Sequence, residues 1–439
     1  MVQPRALRRR RRRTLALTLV TGLAAVLVLG GCSSQSGSAS PTLTWYINPD
    51  DGGQAEIAKR CSADSGGKYT IETSLLPRDA SSQREQLARR LAAGDTSMDI
   101  MSLDPPFMPE LAEPGFLATV PAELATSSTE NAVEGAVKGA TWKGEVAAVP
   151  FWANTQLLWF KKSVAQEAGL DMSQPVTWDQ LMAATEQTGK QLGVQGIRSE
   201  SMTVWVNALY ESQGQPIILN PEAPAEELQL GLDTPAGEEA ARIVGTIGDK
   251  GLGGPGITTQ NENVTMVNWQ SPEGSFMVNW PFVYAATQSA IEQGTVKQSV
   301  LDDMGWALYP RVHADQDTAP PFGGIVLGVG AESKHIDLSY EAISCIISTE
   351  NQAYYFVSNG NPPADKAAYD HPDVRAKYPM ADTIRDSLDL AKPRPQTPYY
   401  NEVSTSIQQR WTPLDAVTPQ TPAETQDFVL KVLKGERLL

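Results

Sequence analysis

The sequence predicts an α/β protein of two lobes, and three observations predict it. Stretches with the two-residue period of a strand take turns with stretches that are apolar at helical spacing. The chain, at 439 residues, is too long for one ordinary domain, and no repeat period or long low-complexity segment interrupts it. Thr42 to Ile47 alternates and is rich in β-formers, so it reads as a strand. Ile57, Ala58 and Cys61 share one helical face, and Tyr69 to Leu75 returns to strand. Ser82-Gln83-Arg84-Glu85 has the form of a capping box, and Leu87 and Leu91 continue it as an amphipathic helix ending at Gly94. Met98 to Leu103 is the next strand, and strands joined through helices imply a mostly parallel sheet. Thr177-Trp178-Asp179-Gln180 opens a helix that stops near Gly193, and Thr234-Pro235 opens another that runs to about Gly251. Ile325 to Val329 reads as a strand leading to a helix around Ala342 to Ile347. After Tyr378 the chain is helical and punctuated by prolines.

The first residues carry an address. An arginine run, Arg8 to Arg13, precedes an apolar stretch from Leu15 to Leu29 that is broken only by Thr18, Thr21 and Gly22. These are the charged and apolar regions of an export signal, and the stretch falls short of the ~20 apolar residues of a spanning helix. Leu29-Gly30-Gly31-Cys32 resembles the bacterial lipobox, where the signal is cut before a cysteine that receives lipid. Residues 1–31 are therefore expected to leave, and residues 32–42 to form a tether lipidated on Cys32. That places the protein outside the cytoplasm, anchored to the outer face of the cell membrane.

Charge narrows the partners. Residues 1–31 hold seven arginines and no acid, so the remaining chain sets 28 basic against 51 acidic side chains, a net charge of −23. A field of that sign disfavours nucleic acid and anionic ligands, leaving a neutral or cationic one. Three cysteines occur: Cys32, Cys61 and Cys345. With Cys32 lipidated, the other two form an even pair in an oxidising compartment, and a disulfide between them is expected.

A search for catalytic constellations finds none that fits its context. His313, His335 and His371 lack metal-ligand spacing and lie in polar, loop-like surroundings. The run Gly251 to Gly256 matches the dinucleotide glycine fingerprint in form, but it follows a helix and has Pro255 where a helix should open. No catalytic residue, cofactor or metal is assigned. Asp50, Asp51 and Asp104 lie at the carboxyl ends of strands, where open α/β sheets place ligands. Such carboxylates serve a glycosidase or simply accept hydrogen bonds from sugar hydroxyls, and they also cap helices.

Seven blocks carry a family resemblance: 87–91, 99–104, Asn154-Thr155-Gln156-Leu157-Leu158-Trp159, Val278-Asn279-Trp280-Pro281-Phe282-Val283, Gly323-Gly324, 377–380 and Arg394-Pro395-Gln396-Thr397-Pro398. In this order they resemble the extracytoplasmic solute-binding lipoproteins of ABC sugar importers, most closely the mycobacterial trehalose-binding lipoproteins of the LpqY type. The resemblance implies a periplasmic-binding-protein-like fold with two discontinuous α/β lobes and a ligand cleft between them. Residues 43–153 with 323–375 form the first lobe, and 154–322 with 376–439 the second. It also implies a substrate-binding protein, not an enzyme. Its ligand is a neutral disaccharide, trehalose first and maltose or sucrose behind it, which a monomer delivers to ABC permease subunits in the membrane. An exported glycosidase is the alternative. The ligand-binding residues it implies are Asp50, Asp51, Gln83, Asp104, Asn154, Trp280, Gly324 and Arg394. Among the tryptophans, Trp142, Trp152, Trp205, Trp269 and Trp280 are candidates for a sugar face, Trp280 foremost and Trp205 next. Loss of Asp104 or Arg394 is expected to abolish binding with an unchanged melting temperature.

Overall fold

The computed structural model describes residues 40–439, so the export signal, Cys32 and residues 32–39 of the tether lie outside the described residues. β1 (Thr42–Ile47) sends Leu43, Trp45 and Ile47 into one core and Tyr46 into another, the period of a strand buried on both faces. It pairs in parallel with β2 (Thr70–Leu75) on one side and β3 (Ile100–Leu103) on the other. After a short hairpin of β4 (Thr141–Trp142) and β5 (Glu145–Val146) comes β6 (Val149–Thr155). Gln156 alone separates β6 from β7 (Leu157–Lys161), yet β6 belongs to the first sheet and β7 to a second. The second sheet is completed by β8 (Gln191–Gly193), β9 (Gly274–Asn279) and β10 (Met304–Ala307), in the order β10-β7-β9-β8. The chain then returns: β11 (Pro321–Gly328) joins the first sheet between β3 and β6, antiparallel to both, and β12 (Lys392–Pro393) pairs with it in parallel.

The expected parallel sheet holds for β1, β2 and β3 but not for the strands that cross between sheets. Those strands arrive without a crossover helix of their own, and β7 with β9 and β11 with β6 pair antiparallel. Crossing residues are tied down. The Thr155 and Ser387 hydroxyls lie 2.8 Å apart, and Ser387 donates to the carbonyl of Gln156 at 3.4 Å.

Each sheet has its own core. Helices Gly53–Asp64 and Ile336–Ile346 close over one face of the first sheet through Ile57, Ala58, Tyr340 and Ile343. Leu87, Leu91, Met101 and Met108 fill the other face. Against the second sheet Trp178, Trp205, Tyr210, Ile243 and Trp411 pack around Leu158 and Phe276. A further cluster sets Val133, Ala153 and Phe322 against Trp159, Met277 and Ile384, so apolar packing runs on between the sheets. Cys61 and Cys345 form a disulfide across 284 positions, with Cα atoms 5.8 Å apart. It ties the returning segment to helix Gly53–Asp64, and closing so long a loop stabilises by about 5 kcal/mol on the loop-entropy account.

Two helix ends differ from the sequence reading. The second helix, Ala80–Ala92, is capped by Asp79, whose carboxylate accepts from the Ser82 N–H at 2.8 Å; Ser82 lies inside the first turn. The helix opened by the Thr177 capping box ends at Gly189 (φ +63°), the left-handed stop that glycine favours, and Gln191–Gly193 is already β8.

Candidate functional site

β1, β2, β3 and β9 each run into a turn whose residues line one cleft of about 730 Å3. Asn48, Asp50 and Asp51 follow β1, Arg78 and Asp79 follow β2, Asp104 follows β3, and Trp280 follows β9. This is the carboxyl-end position where open α/β sheets hold ligands. Five helices point their N-termini at the same space: Gly53–Asp64, Ala80–Ala92, Glu200–Glu211, Glu262–Gln270 and Phe282–Glu292. Free N–H groups and the helix dipole make such ends attractive to anions. Four of them, however, bring an acid of their own. Asp50 accepts from the N–H of Gly52 at 3.0 Å and of Gln54 at 2.8 Å. Asp79 caps the second helix, and Glu200 and Glu262 stand in the first turns of theirs. Two of these ends are capped by a carboxylate, whereas Glu200 is spent on Arg394 and Glu262 accepts from the Ser201 hydroxyl.

All eight residues expected at the site line this cleft. They differ in what they leave free. Asp50 is committed to its helix cap, whereas Asp51 is exposed at the mouth. Gln83 is buried and donates Nε2 to the Pro77 carbonyl at 2.7 Å. Asn154 accepts on Oδ1 from the Thr155 N–H at 3.1 Å, with no partner for Nδ2 among the described residues. The Trp280 ring lies over Gly323, where a Cβ would sit 3.0 Å from the indole edge. Gly324 (φ +128°) lets β11 approach β6 so closely that a Cβ would meet the Trp152 carbonyl oxygen at 2.3 Å.

At the inner wall stands a buried ion triad. Arg394 donates Nη1 to Glu200 and Nη2 to Asp104, each at 2.6 Å, and it is 5% exposed. Glu200 is further held by the hydroxyls of Tyr400 and Ser404, the latter at 2.5 Å. Burial pushes the Glu200 carboxyl up, against the pull of Arg394. For Arg394 burial works downward, but Asp104, Tyr400 and Glu200 outweigh it and hold the guanidinium well above its ordinary range.

Sequence reasoning missed several lining residues, among them Glu200, Ser201, Asn261, Glu262, Asn359 and Asn361. The strand-end signal that exposed Asp104 does not reach them, because they lie on helix starts and loops far from the quoted blocks. A cap signal could have found Asn261, whose Oδ1 accepts from the Val264 N–H at 3.0 Å. Three tryptophans offered for a sugar face are core instead. Trp205, 1% exposed, packs on Trp178 with centroids 5.7 Å apart. Trp269 donates to the Ser275 carbonyl at 3.0 Å and Trp142 to Glu113 at 2.8 Å. The aromatic rings at the cleft are Trp152, Trp280, Phe282 and Tyr355.

Residues 56–381 match the profile of the bacterial extracellular solute-binding proteins. The chain belongs to that family. A probable ABC transporter-binding protein of Deinococcus radiodurans is 24% identical over 83% of this chain and 86% of its own length. Solved structures share the fold of this solute-binding protein. Maltose-bound MalE3 of T. maritima aligns with 91% of the chain and 100% of its own at a TM-score of 0.78 and 23% identity. The GacH receptor of Streptomyces glaucescens, described unliganded and with acarbose, aligns over 90% and 99% at 0.74 and 20% identity. The architecture is therefore that of two α/β lobes of the periplasmic-binding type. Among the described residues no helix is long and apolar enough to cross a membrane, and no three acids, histidines or cysteines group as metal ligands. None of the three histidines lines the cleft.

Proposed function

We propose that this solute-binding protein serves an ABC carbohydrate importer, capturing a neutral disaccharide, trehalose before maltose or sucrose, and passing it unaltered to the permease. The observation that carries this reading is the lining of the cleft, which gathers carboxylates, amides and aromatic faces around one space at the strand ends. A disaccharide offers many hydroxyls that both donate and accept, and matching it takes side chains of both kinds. Asp104, Asn154, Gln83 and Arg394 supply them, and Trp280 offers a flat apolar partner to a sugar ring. A cleft of about 730 Å3 suits a small molecule rather than a folded partner. The folds it resembles belong to proteins described with maltose, acarbose and α-D-tagatose, all polyhydroxylated.

In this reading residues 1–31 are removed, Cys32 carries lipid on the outer face of the membrane, and the protein works as a monomer. The lobes divide at 153/154, 322/323 and 375/376, and the cleft closes by hinge motion about the crossing segments. Calorimetric titration of the mature protein with trehalose, maltose, sucrose and glucose tests it. Saturable heat at one equivalent is expected, strongest for trehalose, with the disaccharide unaltered on chromatography after long incubation. No heat with any sugar, or released monosaccharide, overturns the reading.

A further inference from the structure

A guanidinium beside a carboxylate ordinarily closes on it with two parallel N–H bonds. Arg394 does not. Its two terminal nitrogens are divided between carboxylates from different elements: Asp104 at the end of β3 and Glu200 in the first turn of Glu200–Glu211. The division is built in from the Glu200 side. Glu200 is 6% exposed and is held by Tyr400, Ser404 and Gln408, all on helix Tyr400–Arg410. Tyr400 in turn packs edge-on against Phe107, centroids 5.1 Å apart, just beyond Asp104. Asp104 Oδ2 consequently has no partner among the described residues, and the Nε of Arg394 is buried without one. Both atoms belong to side chains that line the cleft.

Building on the reading of Asp104 and Arg394 as sugar contacts, we propose that Glu200 is a positioning residue that keeps Arg394 from closing bidentately on Asp104. By holding one terminal nitrogen, Glu200 leaves Asp104 an oxygen with which to accept a sugar hydroxyl, and leaves Arg394 N–H groups with which to donate. Charge, not shape, does this. A glutamine at the same place fills the same volume and keeps one acceptor oxygen for either Tyr400 or Ser404, but it carries no charge and competes poorly for a cation.

The test compares Glu200→Gln with Glu200→Asp in the mature protein, using trehalose as the probe. Glu200→Gln is expected to weaken trehalose at least about tenfold, the worth of one charge-assisted bond. Glu200→Asp keeps the charge and loses less, the reverse of the order that packing alone gives. Wild-type affinity in Glu200→Gln overturns the proposal. A second readout needs no ligand, and so separates this proposal from the choice of sugar: in a crystal structure of unliganded Glu200→Gln, Arg394 turns to hold Asp104 through two nitrogens. An Arg394 that keeps its single bond overturns the proposal whether or not trehalose binds. Should Glu200→Gln fail to fold, the double variant Tyr400→Phe, Ser404→Ala loosens Glu200 instead, and an unshifted Arg394 in its structure has the same force.

Discussion

Replacing Arg394 by alanine removes a guanidinium that is 5% exposed and strands Glu200 in the interior without its counter-charge. Breaking a buried pair from one side costs about 3–5 kcal/mol, so Arg394→Ala is expected to lower the melting temperature as well as abolish sugar binding. This revises the expectation of an unchanged melting temperature, which holds better for Asp104, whose side chain is 18% exposed. Calorimetric melting of the two variants checks it; equal, unshifted transitions would contradict the triad's role. Asp95 offers a pH-dependent counterpart away from the cleft. The Ser97 N–H and hydroxyl, then Arg90, hold its carboxyl down at about 2. Because that value lies below the unfolded one, the stabilisation is present above about pH 4 and is lost as pH falls toward 2. Asp95→Asn is expected to flatten the fall in melting temperature across that window, and an unchanged slope would refute the assignment.

At the scale of elements, the paired glycines of β11 do different work. Gly324→Ala would force a side chain into φ +128° and to within 2.3 Å of the Trp152 carbonyl oxygen, so the β11–β6 ladder must shift and the melting temperature fall. Gly323→Ala meets only the rim of the Trp280 ring at 3.0 Å, so it should weaken sugar binding while leaving the melting temperature close to wild type. Finding the two effects exchanged would refute this division. Strands β1 and β3 and the cleft position of the acids at their ends were legible in the sequence, because a two-residue period is local and Asp104 follows directly on the buried β3. The second lobe's contribution was less so. Helix Glu200–Glu211 is buried on nearly all sides, hence its composition marks no cleft-facing stripe, and Trp205 looked as available as Trp280. The cap falls at Asp79 and not at Ser82, because Ser82-Gln83-Arg84-Glu85 has the capping-box form that Asp79-Ala80-Ser81-Ser82 lacks, and only the backbone geometry decides between them.

For the molecule as a whole, the Cys61–Cys345 bridge is the feature that cysteine parity anticipated, and the ring of helix ends is the one it did not. Parity named the bridge, and the structure forms it between helices Gly53–Asp64 and Ile336–Ile346. Reducing it, or replacing both cysteines by alanine, is expected to destabilise by about 2–5 kcal/mol in thermal or urea unfolding, and an unchanged midpoint would show that it contributes nothing. No local pattern announced that five helix N-termini would meet, since the helices lie far apart in sequence, from Gly53 to Phe282. That convergence sets Asp50 and Asp79 as caps on two of the ends and Glu200 and Glu262 in the first turns of two others, a lining suited to a neutral ligand. The most direct measurement is a pair of calorimetric titrations on the mature protein under identical salt and pH, one with trehalose and one with trehalose 6-phosphate. Saturation at one equivalent is expected with the neutral sugar and no measurable heat with the phosphorylated one. Equal or tighter binding of the phosphate, or no binding of trehalose, would contradict that expectation.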